Sequence, residues 1–181
     1  MSMHAAISAL RNNQIVALPT EGLYGLSGRV TPDVANDLSR LKNRPDDKGF
    51  IIVSANPDDF LPWIDTTQLT CQQYQTLISP CDKPTTWLVP AKPNLSWLTG
   101  PFSTIAIRLT SHPVLKTITH TLGEPIISTS ANITNQPPAT SPAMIQQLFG
   151  NQIACIIDHG PVKQASPSCI IDLQSGKIIR Q

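Results

Sequence analysis

Charge is what this sequence has least of. Asp, Glu, Lys and Arg supply 14% of its 181 residues, against about a quarter in ordinary soluble domains. Thirteen basic and twelve acidic residues leave a net charge of +1. No global field therefore draws the chain to nucleic acid or an anionic membrane, and any RNA contact has to be local. The four cysteines (Cys71, Cys81, Cys155, Cys169) show no C-x-x-C pairing. That argues against structural zinc and for reduced thiols in a cytoplasmic protein. The scattered histidines show no metal-binding spacing, so no metal ligand is expected among the protein's own side chains. No apolar run approaches a membrane span. The stretch from Met1 to Leu10 lacks a basic start and is followed by Arg11-Asn12-Asn13, so no signal peptide is expected.

What the sequence does have is proline, 17 residues spread along the chain, and an ordinary 40% of hydrophobic residues. Rigid connections between short elements fit a compact fold. With no break in composition, residues 1–181 are expected to form a single domain. Ser2 is placed to cap a first helix with Ala6, Ile7, Ala9 and Leu10 on its apolar side. Thr31-Pro32 opens a second helix running to about Leu41, Asn56-Pro57 a short one, and Thr67–Ile78 a polar one. Pro113–Leu122, closed by Gly123, and Ser141-Pro142 to Phe149 complete the helices. Strands are expected at 14–18, 26–30, 50–53, 85–89, 104–109, 125–128, 153–158, 169–173 and 177–180. Their irregular alternation with the helices predicts an α/β fold without repeats.

Polar, sharply turning segments follow several of these apolar runs, which is where ligands sit in α/β folds. Pro19-Thr20-Glu21 leads into Gly22, Gly25 and Gly28, a spacing that fits neither a phosphate-binding P-loop nor a dinucleotide fingerprint. Alone it reads as a glycine-rich hairpin with a solvated Glu. Lys42 and Arg44, followed by Lys48, offer a point charge and a planar fork for phosphate or carboxylate oxygens at a helix end. Between Arg29 and Lys48, five basic residues meet four acidic ones, so a solvated, balanced turn is an equal reading. Ser128-Thr129-Ser130-Ala131-Asn132 groups hydroxyls and an amide that suit phosphate oxygens. No Gly-x-Ser-x-Gly element marks a serine nucleophile. Arg108 stands inside the apolar strand 104–109, where an arginine is costly to bury unless it meets an anion. His112, just before Pro113, reads as structural.

Taken in order, these elements resemble the YrdC/TsaC family of threonylcarbamoyl-AMP synthases, in its short branch. The matching stretches are Pro19-Thr20-Glu21 with Tyr24-Gly25-Leu26, Lys42-Asn43-Arg44-Pro45, Lys48-Gly49, Ile105-Ala106-Ile107-Arg108 with His112-Pro113, and Ser128-Thr129-Ser130-Ala131-Asn132. The resemblance implies a twisted mixed sheet with surrounding helices and an open, concave, positively lined cavity. It also implies an enzyme that makes threonylcarbamoyl-adenylate and pyrophosphate from ATP, L-threonine and bicarbonate, with Mg²⁺ accompanying ATP. The product would serve threonylcarbamoyladenosine modification of tRNA beside the anticodon, through a partner threonylcarbamoyl-transfer complex. A weak contact with tRNA would be compatible with that role.

By the same resemblance, Lys42 and Arg44 are the catalytic cations, and with Lys48, Ser130 and Asn132 they bind ATP. Thr20, Arg108 and Ser168 would hold threonine. Three departures stand out. Lys83 occupies a place where the family commonly has glycine, Thr134-Asn135 replaces a frequent Ser-Gly, and Cys169 replaces a common Thr. Two other functions remain to be weighed. One is an RNA-binding or ribosome-maturation factor that uses the concave surface without catalysis, and the low net charge argues against it. The other is a carbamoyl-transfer module of hydrogenase-maturation proteins, which would bring zinc-finger-like cysteines that this sequence lacks.

Overall fold

The computed structural model describes residues 2–45, 47–158 and 167–181. They build one nine-stranded sheet in the order β7-β1-β2-β6-β3-β5-β4-β8-β9. The strands are β1 (Val16–Pro19), β2 (Tyr24–Arg29), β3 (Ile51–Ser54), β4 (Thr85–Pro90), β5 (Thr104–Leu109), β6 (Ile126–Ser130), β7 (Cys155–Ile156), β8 (Cys169–Asp172) and β9 (Ile178–Arg180). Pairs β1–β7, β3–β5 and β4–β8 are parallel and the other neighbours antiparallel. The sheet is therefore mixed, as expected. No helix among the described residues is long and apolar enough to cross a membrane.

The helices are α1 (Met3–Arg11), α2 (Pro32–Lys42), α3 (Cys71–Ile78), α4 (Ser96–Thr99), α5 (Pro113–Leu122) and α6 (Pro142–Phe149). Their starts follow local chemistry. The side chains of Ser2, Thr31 and Ser141 accept N–H bonds from Ala5, Val34 and Met144 at the heads of α1, α2 and α6, satisfying donors that a helix leaves free there. Gly123, in the left-handed conformation, ends α5.

Some boundaries differ from the expectation. The helix expected from Thr67 begins at Cys71, because Asp65 caps a 3₁₀ turn over Thr66–Gln68 and Thr70 forms a capping box with Gln73. The strand expected over 153–158 contracts to Cys155–Ile156. The short helix α4 was not anticipated; its sequence, Ser96-Trp97-Leu98-Thr99, lacks a side-chain cap. β2 starts at Tyr24, so Gly25 and Gly28 lie within a strand rather than in a turn. Both are tight positions: a Cβ on Gly28 would fall 2.3 Å from Val34 Cγ1, and one on Gly25 would fall 3.0 Å from Ser128 Oγ.

Side-chain alternation along the strands divides the molecule into two layers. On one face, Leu26, Ile52, Ile105, Ile107 and Ile127 join Val34, Leu38 and Leu98 of α2 and α4 in the larger core. On the other, Val16, Leu18, Val53 and Ile126 pack with Ala6 and Leu10 of α1 and Leu115 and Ile118 of α5. These two helices cover only part of that face. Over the remainder, Ile51, Ala106 and Ser128 lie in one cross-strand row and line a cavity.

Candidate functional site

The cavity holds about 850 Å³ and collects side chains from segments far apart in sequence. Thr20 comes from the turn after β1, Arg44 and Lys48 from the loop after α2, Arg108 from β5, Ser128 and Ser130 from β6, Ser168 from the approach to β8, and Arg180 from β9. Arg44, Lys48, Arg108 and Arg180 are its charged side chains, and no carboxylate stands among the described lining residues. Local placement of cations thus gives a nearly neutral chain a strongly anion-attracting hollow. Apolar wall comes from Leu88, Ala106, Ile170 and Ile179.

Most of the candidate residues have an identifiable support. Thr20 closes a tight turn: its N–H and hydroxyl both donate to Leu23 O, at 3.0 and 2.7 Å. Arg44 donates through Nε to Lys48 O at 3.3 Å and through a terminal nitrogen to Gly49 O. Its guanidinium carbon lies 4.7 Å from the centre of the Phe50 ring, a cation–π contact that fixes the plane of the fork. Gly49 permits this arrangement. A Cβ there would lie 2.6 Å from the backbone oxygen of Thr99. Lys48 is exposed at the cavity edge.

Lys42 and Arg44, read together as cations for phosphate, face different surroundings. Asn43, in the left-handed conformation (φ 48°), caps α2 and turns the chain between them; asparagine tolerates that conformation better than most side chains. Arg44 reaches the cavity, whereas Lys42 is 2% exposed and is not part of its lining. The Lys42 ammonium donates to the carbonyl oxygens of Ser130 and Asn132 and to Asn132 Oδ1. Burial, and then the Arg44 charge, push Lys42 down to about 7, while those oxygens favour the charged form. Asn132, half-buried, is likewise not part of the lining. Its amide donates to Ile133 O at 2.9 Å and Gln136 O at 2.7 Å, and its Oδ1 accepts from Ser130 Oγ at 2.6 Å. Of the residues expected to bind ATP, Arg44, Lys48 and Ser130 face the cavity; Lys42 and Asn132 form the knot that holds Ser130 there.

The residues expected to hold threonine meet at the same hollow. Thr20, Arg108 and Ser168 all line it. Arg108 has found an internal anion, Glu21, whose Oε2 lies 3.5 Å from Nη2, so Glu21 is not the solvated acid of the hairpin reading. Ser168 shares a buried 2.8 Å hydrogen bond with the Thr86 hydroxyl. Its backbone oxygen accepts from Arg180 at 2.8 and 3.2 Å. Arg180 was missed in the sequence, because an arginine at the end of a short exposed strand carries no pattern; the β8–β9 hairpin reaches the hollow only because β8 pairs with β4. Among the departures, Asn135 takes the left-handed backbone (φ 66°) that a glycine would supply, and Lys83 is exposed beside Pro84 of the lining. Asp46 of the basic turn and Ser166, next to Pro167, lie outside the described residues.

A family model described as telomere recombination, covering Sua5, YciO and YrdC, matches residues 8–181. The chain belongs to this family. It is 38% identical to the threonylcarbamoyl-AMP synthase of Haemophilus influenzae over 183 residues, 100% of both chains. Against the threonylcarbamoyl-AMP synthase of Vibrio campbellii it is 34% identical over 177 residues, 97% of this chain and 96% of the relative. Among solved structures, P. abyssi Sua5 complexed with L-threonine superposes with a TM-score of 0.86 at 26% identity. That match covers 97% of this chain and 52% of the Sua5 chain, so this chain spans about half of Sua5.

Proposed function

We propose that this protein is a threonylcarbamoyl-AMP synthase, forming threonylcarbamoyl-adenylate and pyrophosphate from L-threonine, bicarbonate and ATP. The observation that carries the reading is the cavity itself. Four cations from three separate segments face one hollow with no carboxylate among its described lining residues, in a chain matched over nearly its full length by relatives of that name. Carbamate formed from the threonine amine must attack the α-phosphorus of ATP. Negative charge then builds on the phosphoryl oxygens and the departing pyrophosphate. Such a reaction needs positioned donors and charge rather than a covalent nucleophile.

In this reading Arg44 and Lys48 meet the phosphate charge, and Ser130 turns its one hydroxyl proton from Asn132 Oδ1 to a phosphate oxygen. Lys42 and Asn132 hold Ser130 in place, and Arg108, Thr20 and Ser168 receive the amino acid. Mg²⁺ enters on the ATP phosphates and shares their charge; among the described residues no group of three His, Cys, Asp or Glu side chains is placed to hold a metal ion. The product passes to a threonylcarbamoyl-transfer complex in the cytoplasm that modifies tRNA, with at most a weak tRNA contact by this chain.

The test is pyrophosphate release by the purified protein. It should require ATP, threonine and bicarbonate together. Release of ADP and phosphate, or equal rates with valine in place of threonine, would refute the assignment. RNA affinity with a steep salt dependence and no pyrophosphate would instead favour the RNA-binding alternative.

A further inference from the structure

Arg108 is 8% exposed, and the anion beside it stands behind the cavity rather than in it. Glu21 lies between Thr20 and Gly22, which both line the hollow, yet its own side chain is not part of that lining. One carboxylate oxygen lies 3.5 Å from Arg108 Nη2. The other accepts a hydrogen bond from the Thr110 hydroxyl, and Thr110 Oγ1 in turn accepts from the His112 N–H at 3.1 Å. Burial raises the Glu21 carboxyl, but Arg108, the Thr110 hydrogen bond, Glu21's own backbone and His112 together bring it below its ordinary value. Glu21 is thus ionised, and anchored to β5 and the segment after it.

The contact with Arg108 is charge against charge without a hydrogen bond. Arg108 Nε is buried and has no hydrogen-bond partner among the described residues, and neither has Glu21 Oε2. A buried guanidinium with an unfilled donor attracts an anion that can accept it. The negative charge behind it restrains the direction of the fork and lowers the cost of keeping it ionised in a shielded place.

We propose that Glu21 is a positioning residue for the amino-acid substrate: held by Thr110, it aims the Arg108 fork at the substrate carboxylate. This rests on the synthase reading. It divides the cavity functionally, with the Thr20–Glu21 turn serving threonine and the 44–48 loop serving ATP. A carboxylate that merely neutralised Arg108 would affect folding, or both substrates, without that division.

The experiment combines pyrophosphate-release kinetics with calorimetric titration of L-threonine for the wild type, Glu21→Gln, Thr110→Val, Arg108→Lys and the Glu21→Gln/Arg108→Lys double variant. Glu21→Gln keeps the shape and an oxygen acceptor, and removes the charge. It should raise the threonine KM about tenfold and change the ATP KM by less than about twofold. Thr110→Val should move the threonine KM in the same direction, by less. With Arg108 already lysine there is no fork to aim, so Glu21→Gln should add less than about twofold. Equal rises in both KM values, an unchanged threonine KM, or a full tenfold effect in the lysine background would each overturn the proposal. Should Glu21→Gln fail to fold, Thr110→Val carries the same criterion alone. A wild type that neither binds threonine nor releases pyrophosphate refutes the synthase reading and this inference with it. A wild type that does both, beside a Glu21→Gln variant of unchanged threonine affinity, refutes this inference alone.

Discussion

Lys42 donates to Asn132 twice from one ammonium, to the backbone oxygen at 2.7 Å and to Oδ1 at 3.2 Å. With Ser130 O as the third acceptor, its three N–H groups match three oxygens, and Thr134 N–H donates back to Lys42 O at 2.8 Å. The end of α2 and the loop after β6 are tied as one unit beneath the cavity edge.

A pH dependence follows from this burial. Lys42 titrates at about 7 in the folded protein, against an ordinary value of 10.5. Below about pH 7 both states carry the proton, and the cost of burying the charge falls fully on the native state. Between the two values the unfolded chain holds a proton that the native state has released, so stability rises with pH. Lys42→Met lacks this group. The stability advantage of the wild type over Lys42→Met should therefore grow on going from about pH 6.5 to about pH 9. Urea midpoints at the two pH values measure it, and an advantage that shrinks would contradict the account.

The sequence made most of the framework legible because local signals agreed with the fold. Ser2, Thr31 and Ser141 cap the helices they were expected to cap, and the apolar run 104–109 is a strand with the same bounds. What stayed hidden depends on contacts between distant segments. Nothing in Lys42-Asn43-Arg44 reveals that a left-handed Asn43 sends the two cations to different places. Nothing in the polar turn at Glu21 reveals a partner 87 positions away at Arg108. Arg180 enters the site only because β8, its hairpin partner, pairs with the distant β4. The roles of these residues rest on kinetics and binding.

Arg44→Lys tests the planar fork. Lysine keeps the charge but loses the stack on Phe50 and one of the two backbone contacts to Lys48 O and Gly49 O. A cation–π contact contributes about 0.5–2 kcal/mol, and a hydrogen bond to a charged group about 1.5–3 kcal/mol. Turnover per ATP bound should fall roughly 10- to 100-fold at saturating threonine. Steady-state kinetics with ATP varied would check it; a change in threonine KM alone would go against the placement.

Gly49→Ala tests the close approach behind that fork. The added methyl would meet Thr99 O at 2.6 Å and Leu98 O at 3.2 Å, backbone atoms that cannot rotate aside. Phe50 N–H also donates to Leu98 O at 2.8 Å, so the start of β3 must shift and carry Arg44 with it. Overpacking of this kind costs about 1–3 kcal/mol. The thermal midpoint should drop by several degrees, and ATP affinity of the folded fraction should weaken as well. Calorimetry of unfolding and of ATP binding would separate the two effects.

Arg108→Lys and Lys48→Ala should split the two substrates in opposite directions. Arg108 is buried among the strands and offers a fork, while Lys48 is an exposed point charge at the cavity edge. An arginine fork can offer two parallel N–H groups to a substrate carboxylate, and lysine cannot reproduce that geometry. Arg108→Lys should therefore raise the threonine requirement strongly and leave ATP affinity nearly unchanged. Lys48→Ala should weaken ATP, and more so at low ionic strength, because an exposed charge acts through a field that salt screens. Titrating each ligand against both variants at two salt concentrations reads all four effects. Equal weakening of ATP and threonine by Arg108→Lys would mean that the arginine serves the whole cavity. No effect on either would reduce Arg108 to an internal ion pair with Glu21.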